Sequence, residues 1–369
     1  MKKSTINEKW EIYLRFTEII NRIKHPSKYI IGHSFLQPTR PTYNRIKTIE
    51  KIETISFLEK LILKTKYYYS LFSIIKKFIY LKFKKKNRTN LKEFSSNKFD
   101  VIIVSHLNNE QQFKKNEDLY FGNLMNTLSS RGMNILLVLI PHCSYRKESY
   151  IDYSKNNKNF KTYILSEKNN NFENTFDYIL GVNKVRKELL KEAALKKGFE
   201  KNLYLYTAET IISRDNKRNF IFGDQISQIV QLTSAKNIIT TYEGHSWERI
   251  FYFYSRIANK NIRCFGYLHT LLFEYDYSIF RVIKNKFDPN CIFTTGKRTK
   301  DILDFKIRKK IKVKTLGTPK FKDIAKDTFL SNKNYHLLFI PSGEIEEANI
   351  MTNFALKYAK FNPKIKIII

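Results

Sequence analysis

Ile238-Ile239-Thr240-Thr241-Tyr242-Glu243-Gly244-His245-Ser246-Trp247-Glu248-Arg249 begins a stretch that runs on to Ile262-Arg263-Cys264-Phe265-Gly266-Tyr267-Leu268-His269-Thr270, and its reading decides the fold. The run 238–242 is short, apolar and β-branched, as a buried parallel strand should be. Behind it, Trp247, Ile250, Phe251, Tyr254 and Ile257 recur on one face of a helix. Residues 262–267 make a second strand, which ends in His269 and Thr270. Strand, polar turn, helix, strand, polar turn is the unit of an α/β sheet, and such sheets bind ligands at the carboxyl ends of their strands.

The same alternation extends on both sides. Residues 100–104 form a strand that leads to His106, residues 134–140 a second and residues 161–165 a third. A helix is expected through Leu119, Phe121, Leu124 and Leu128, another over 182–197 ending at Gly198, and another over 225–233. Strands at 290–295 and 311–316 follow, with a helix between them. The pattern predicts a doubly wound parallel sheet in a domain over 99–325. After a polar linker, a strand, a turn at Pro341-Ser342-Gly343, a helix over 344–360 and a strand at 365–369 open a further unit over 335–369. It is read as the beginning of a second Rossmann-like domain, cut short.

Residues 1–98 stand apart. They hold 23 Lys or Arg against 8 Asp or Glu between 1 and 100, within a chain whose formal net charge is +33. Abundant Lys, Asn, Ile, Phe and Tyr is what AT-rich codons produce, yet the surface it makes is electropositive and attracts anions. Two helical parts are expected, one around Trp10–Ile20 and one over 46–83. Aromatic residues beside lysines over 64–88 form a patch suited to an anionic membrane surface. The plainer reading is a helical extension packed on the next domain with a solvated Lys tail. Three widely spaced cysteines read as reduced core residues of a cytoplasmic protein, and neither a membrane span nor an apolar leader is visible.

Glu243 and His245 are candidate catalytic residues, because each could serve as a general base or orient a hydroxyl. His269 is the third. Trp247, Glu248 and Thr270 from the same turns, and His106 from the first strand end, are candidate substrate-binding residues. The bland account of the turn is a Ser246 cap and a Glu248 at the positive end of the helix. Ser342, Gly343 and Glu344 could wrap a phosphate at a helix start, although the acidic first turn opposes it. No CxxC, HExxH, DxD, GxGxxG or Walker A spacing occurs, so no metal or bound cofactor is expected.

Taken together, YEGHSWER, GYLHT, CIFTTG with LGTPK, and FIPSGE resemble a family of bacterial surface-carbohydrate biosynthesis proteins, similar to glycosyltransferases with two Rossmann-like domains (the GT-B fold). The resemblance covers residues 100–369. It implies a metal-independent glycosyltransferase that moves a sugar from a nucleotide-sugar donor to a lipid-linked or surface polysaccharide acceptor. It further implies Glu243, His245 and His269 at the cleft, Ser342, Gly343 and Glu344 on the donor side, and a place on the cytoplasmic face of the membrane. Family members continue beyond the strand at which this chain stops. The alternatives are a sugar-nucleotide epimerase or polyol-phosphate transferase of the same fold, an inactive fragment, or a basic nucleic-acid-binding protein. The last is disfavoured because the charge is spread along the chain without a recognition motif.

Overall fold

The computed structural model describes residues 6–23, 27–39, 42–83, 98–108, 118–141, 160–167, 172–273, 275–283, 285–318, 336–339, 345–363 and 365–368. It divides into two compact units, Met1–Lys320 and Phe321–Ile369.

The first unit is built on a seven-stranded sheet: β1 (Val101–Leu107), β2 (Ile135–Pro141), β3 (Lys161–Ile164), β4 (Asn237–Thr241), β5 (Arg263–Leu268), β6 (Cys291–Thr294) and β7 (Lys312–Thr315). Every pairing is parallel and the order is β3-β2-β1-β4-β5-β6-β7. The expected α/β sheet is therefore present. β1 is buried at every position and β2 at all but its last, because helices cover both faces. The two-residue period divides the apolar side chains. Ile102, Val104, Leu136 and Val138 meet the helices Arg214–Thr233 and Ser246–Ala258 on one face. Val101, Ile103, Leu137 and Leu107 meet Phe121, Met125 and Phe160 on the other.

The N-terminal region, read as distinct in composition, packs into the sheet-bearing unit, as its plainer reading has it. Tyr13, Phe16 and Ile20 of helix Ile6–Arg22, together with Ile30, Leu36 and Tyr67, share one core with Tyr178, Val182, Leu189, Leu203 and Tyr204. Residues 1–98 thus belong to the same unit as the sheet, and the boundary falls after Lys320 instead. The helical part over 46–83 is two helices, Tyr43–Glu53 and Phe57–Phe83. Ser56 restarts the chain: its hydroxyl accepts from Glu59 N at 3.2 Å while the Glu59 carboxylate accepts from Ser56 N at 2.8 Å, a reciprocal cap.

Other helices begin earlier than the pattern indicates, at Phe172 and Arg214, and an additional one spans Gly198–Thr210. Gly198, read as a stop, has φ +56 and joins two helices. The helix expected through Leu119 and Phe121 is only Leu124–Ser129. Asp118 Oδ1 accepts the N–H groups of Tyr120 at 2.8 Å and Phe121 at 2.9 Å, so a turn replaces its first part.

The second unit pairs β8 (His336–Leu338) in parallel with β9 (Lys366–Ile368), with helix Ile345–Phe361 between them in sequence. Ser342, Gly343 and Glu344 lie outside the described residues, as do residues 84–88 of the basic aromatic stretch.

Candidate active site

The order of the sheet reverses between β1 and β4, because the chain builds outward from β1 to β3 on one side and from β4 to β7 on the other. The carboxyl ends flanking such a switch point form the ligand crevice of open α/β sheets. His106 lies at the end of β1, Glu243 to His245 follow β4, and His269 and Thr270 follow β5. The sequence-identified residues of the first unit are therefore gathered in one place.

The turn after β4 is held from beneath. Gly244 has φ +81, and a Cβ there would lie 2.4 Å from the Ser278 carbonyl carbon, so only glycine fits. Glu248 is fully buried, and its carboxylate accepts from Glu243 N at 3.0 and 3.1 Å and from His245 N at 2.8 Å. Burial dominates those hydrogen bonds and pushes its carboxyl up to about 8. Arg249, also fully buried, pairs with Asp288 and donates to Ser278 O at 2.7 Å, Arg281 O at 2.8 Å and Gly244 O at 3.4 Å. Ser246 Oγ accepts from Asn219 Nδ2 at 2.9 Å and lies 3.3 Å from Ser34 Oγ. Glu248 was expected to bind substrate. It braces the turn instead, with no surface open to a ligand.

Burial alternates along the turn: Glu243, His245 and Trp247 are partly open, while Gly244, Ser246, Glu248 and Arg249 are buried. Glu243 Oε2 lies 3.3 Å from His245 Nε2, and Oε1 lies 3.8 Å from His269 Nε2. The three side chains are 23%, 39% and 11% exposed, respectively. Burial alone would raise the Glu243 pKa. The hydrogen bond from His245, the charges of His245 and His269, and the Thr270 hydroxyl outweigh it and hold Glu243 at about 2. For His245, burial opposes the charged form, but the bond to Glu243 and the charges of Glu248 and Glu243 prevail and its pKa is raised. Arg45 works the other way on His245.

Rings complete the wall. His106 is edge-on to Trp247 at 5.1 Å and to Tyr120 at 5.4 Å, with Thr241 Oγ1 at 3.4 Å from its Nε2. Tyr120 is edge-on to His269 at 4.6 Å and accepts at its hydroxyl from Asn108 Nδ2 at 2.8 Å. Trp247 is stacked with His245 at 6.4 Å. Gly266 in β5 makes room for the Tyr242 side chain: a Cβ there would lie 2.7 Å from Tyr242 Cβ.

Two members were missed in the sequence. Tyr120 sits in what reads as a helix, and only the Asp118 turn turns it toward His269; an Asx-turn reading of Asp118 was the available signal. Arg45 comes from the N-terminal region, and its Nη1 is buried with no hydrogen-bond partner among the described residues. No local pattern connects it to residue 245.

Among the described residues no group of His, Cys, Asp and Glu is arranged to hold a metal ion. The arrangement offers a carboxylate–imidazole couple, a second imidazole and aromatic rings, a set suited to taking a proton from a hydroxyl and packing against a ring. Comparison with protein-family models, with curated proteins and with solved structures gives no match.

Proposed function

We propose that the chain is a glycosyltransferase that moves a sugar from a nucleotide-sugar donor to a lipid-linked or surface polysaccharide acceptor, on the cytoplasmic side of the membrane. One observation carries the reading: Glu243 is bridged by His245 and His269 at the carboxyl ends of β4 and β5, beside the His106, Tyr120 and Trp247 rings. In this reading the acceptor hydroxyl loses its proton to the Glu243–His245 couple. Glu243 held near 2 is a weak base by itself, whereas His245, raised by that carboxylate, is the better proton sink. Trp247 and Tyr120 pack against the apolar face of the sugar. Arg45, whose charge reaches His245, stands ready to offset the charge of a substrate phosphate.

The reading is tested with purified chain, nucleotide-sugars and a short saccharide acceptor. Glu243→Gln is expected to lower turnover by roughly 10²–10⁴ while leaving the fold unchanged by circular dichroism. Turnover equal to that of the unsubstituted chain would remove the couple from the reaction. Donor turnover that yields an isomerised nucleotide-sugar, with no transfer, would favour the epimerase alternative.

A further inference from the structure

Helix Phe57–Phe83 is apolar on two sides, and among the described residues one of them is packed into a core. Tyr67 and Ile74 are 1% and 3% exposed and join the core shared with the helices Phe172–Ala194 and Gly198–Thr210. On the other side Phe57, Leu61, Tyr69, Phe72 and Ile79 are exposed, with Phe57 at 83%, Tyr69 at 75% and Phe72 at 66% exposure. At 3.6 residues per turn these five fall within an arc of about 120°, and at 1.5 Å per residue the stripe is about 33 Å long. Exposed apolar surface on that scale marks an interaction site.

The charges select the occupant. Glu59 is the sole acidic residue between 57 and 83, while Lys60, Lys64, Lys66 and Lys76 are spaced along the helix. A second copy laid face to face would set Lys64 and Lys76 of each chain against those of the other, with only Glu59 to answer them, in a protein of net charge +33. An anionic lipid surface has no such conflict: rings and aliphatic side chains enter the acyl boundary while lysines reach the headgroups. No described helix is long and apolar enough to cross a membrane, so this one would lie along it.

We infer that the outer face of helix Phe57–Phe83 docks the protein flat on an anionic lipid bilayer. The inference stands on the helix and not on the transferase reading. Its test is flotation of the full chain with vesicles of phosphatidylcholine alone or mixed with phosphatidylglycerol. The chain should float with the mixed vesicles and much less with phosphatidylcholine. The double variant Tyr69→Glu and Phe72→Glu, both on the uncovered side, should reduce binding by at least roughly tenfold, and Lys64→Glu with Lys76→Glu should abolish the preference for phosphatidylglycerol. Two results would overturn the inference: a folded chain that does not float, or a Tyr69→Glu/Phe72→Glu variant that floats as well as the unsubstituted chain. Self-association lost in that variant, with no vesicle binding by the unsubstituted chain, would assign the face to a second copy. Transfer to a water-soluble acceptor reports on the active site separately and should be unaffected in the variant.

Discussion

Arg45 and Glu243 pull the His245 imidazole in opposite directions. The carboxylate favours the imidazolium at 3.3 Å, and the guanidinium disfavours it. Removing each should therefore shift the His245 titration with opposite sign. Glu243→Gln should lower its midpoint and move the acid limb of the pH–rate profile to lower pH. Arg45→Met should raise the midpoint and move that limb to higher pH, and a ring-proton NMR titration would follow both directly. A shift of the same sign in the two variants would mean that the turn had rearranged and that charge was not the cause. Glu248 makes a different pH prediction. Its folded-state pKa of about 8 exceeds the usual carboxyl value near 4.3. The folded state then holds more protons than the unfolded state between those values, so stability contributed here declines as pH rises from about 4 to 8. Glu243, held at about 2, has the opposite sign: its contribution is complete above about 4 and is lost as pH falls toward 2. Urea titrations of Glu248→Gln against the unsubstituted chain should thus converge at low pH, where both side chains are neutral. The residues of the strand-end turns were legible in the sequence because a β-α unit fixes where its turn points. Glu248 was placed correctly as a helix-start acid but not as a buried brace, since burial depends on the 276–288 segment that packs beneath it.

At the scale of elements, two glycines with nearly equal φ separate conformational strain from packing. Gly244 has φ +81 and its missing Cβ would meet the Ser278 backbone; Gly132 has φ +79 and faces open space. An alanine in the left-handed region costs about 1–2 kcal/mol wherever it stands. Gly132→Ala should lose about that much in urea denaturation. Gly244→Ala must in addition push apart the turn and the segment that carries Ser278, so its loss should exceed that of Gly132→Ala by about 1 kcal/mol or more. Equal losses would show that the two segments yield freely, and the rigid turn that presents Glu243 and His245 would be in question. Periodicity found the strands of the sheet to within a residue or two, except that β1 runs three residues further to Leu107, because continuous apolar runs have few other uses. It failed at helix boundaries, where a Ser56–Glu59 cap, an Asp118 turn or a left-handed Gly198 decides against the apolar pattern.

Across the whole molecule, the sheet could be anticipated as doubly wound, whereas the choice between the two readings of residues 1–98 could not. Charge and amphipathic spacing describe a surface helix equally well whether it is an appendage or half of a core. The structure makes it the latter. Arg281 donates to Leu36 O at 3.2 Å and Ile20 O at 3.3 Å, and Tyr277 N and Ser278 N donate to Thr39 O and Pro38 O at 3.2 and 3.1 Å. The segment that seats the Gly244 turn is thus itself suspended from the N-terminal helices. The apolar ledger points the same way. Tyr13, Phe16, Ile20, Ile30, Leu36 and Tyr67 are each buried to within 2% of completely, and burying one such side chain is worth about 1.5–3 kcal/mol. Removing them would uncover their partners in the same core, Tyr178, Val182, Leu189 and Leu203. A fragment 99–320 should therefore lack a cooperative thermal transition and near-ultraviolet circular dichroism, while 1–320 should retain both and unfold as one unit. Cooperative unfolding of 99–320 would show that the sheet and its helices suffice, and the N-terminal helices would then be an appendage, free to carry the apolar face of Phe57–Phe83 independently of the crevice.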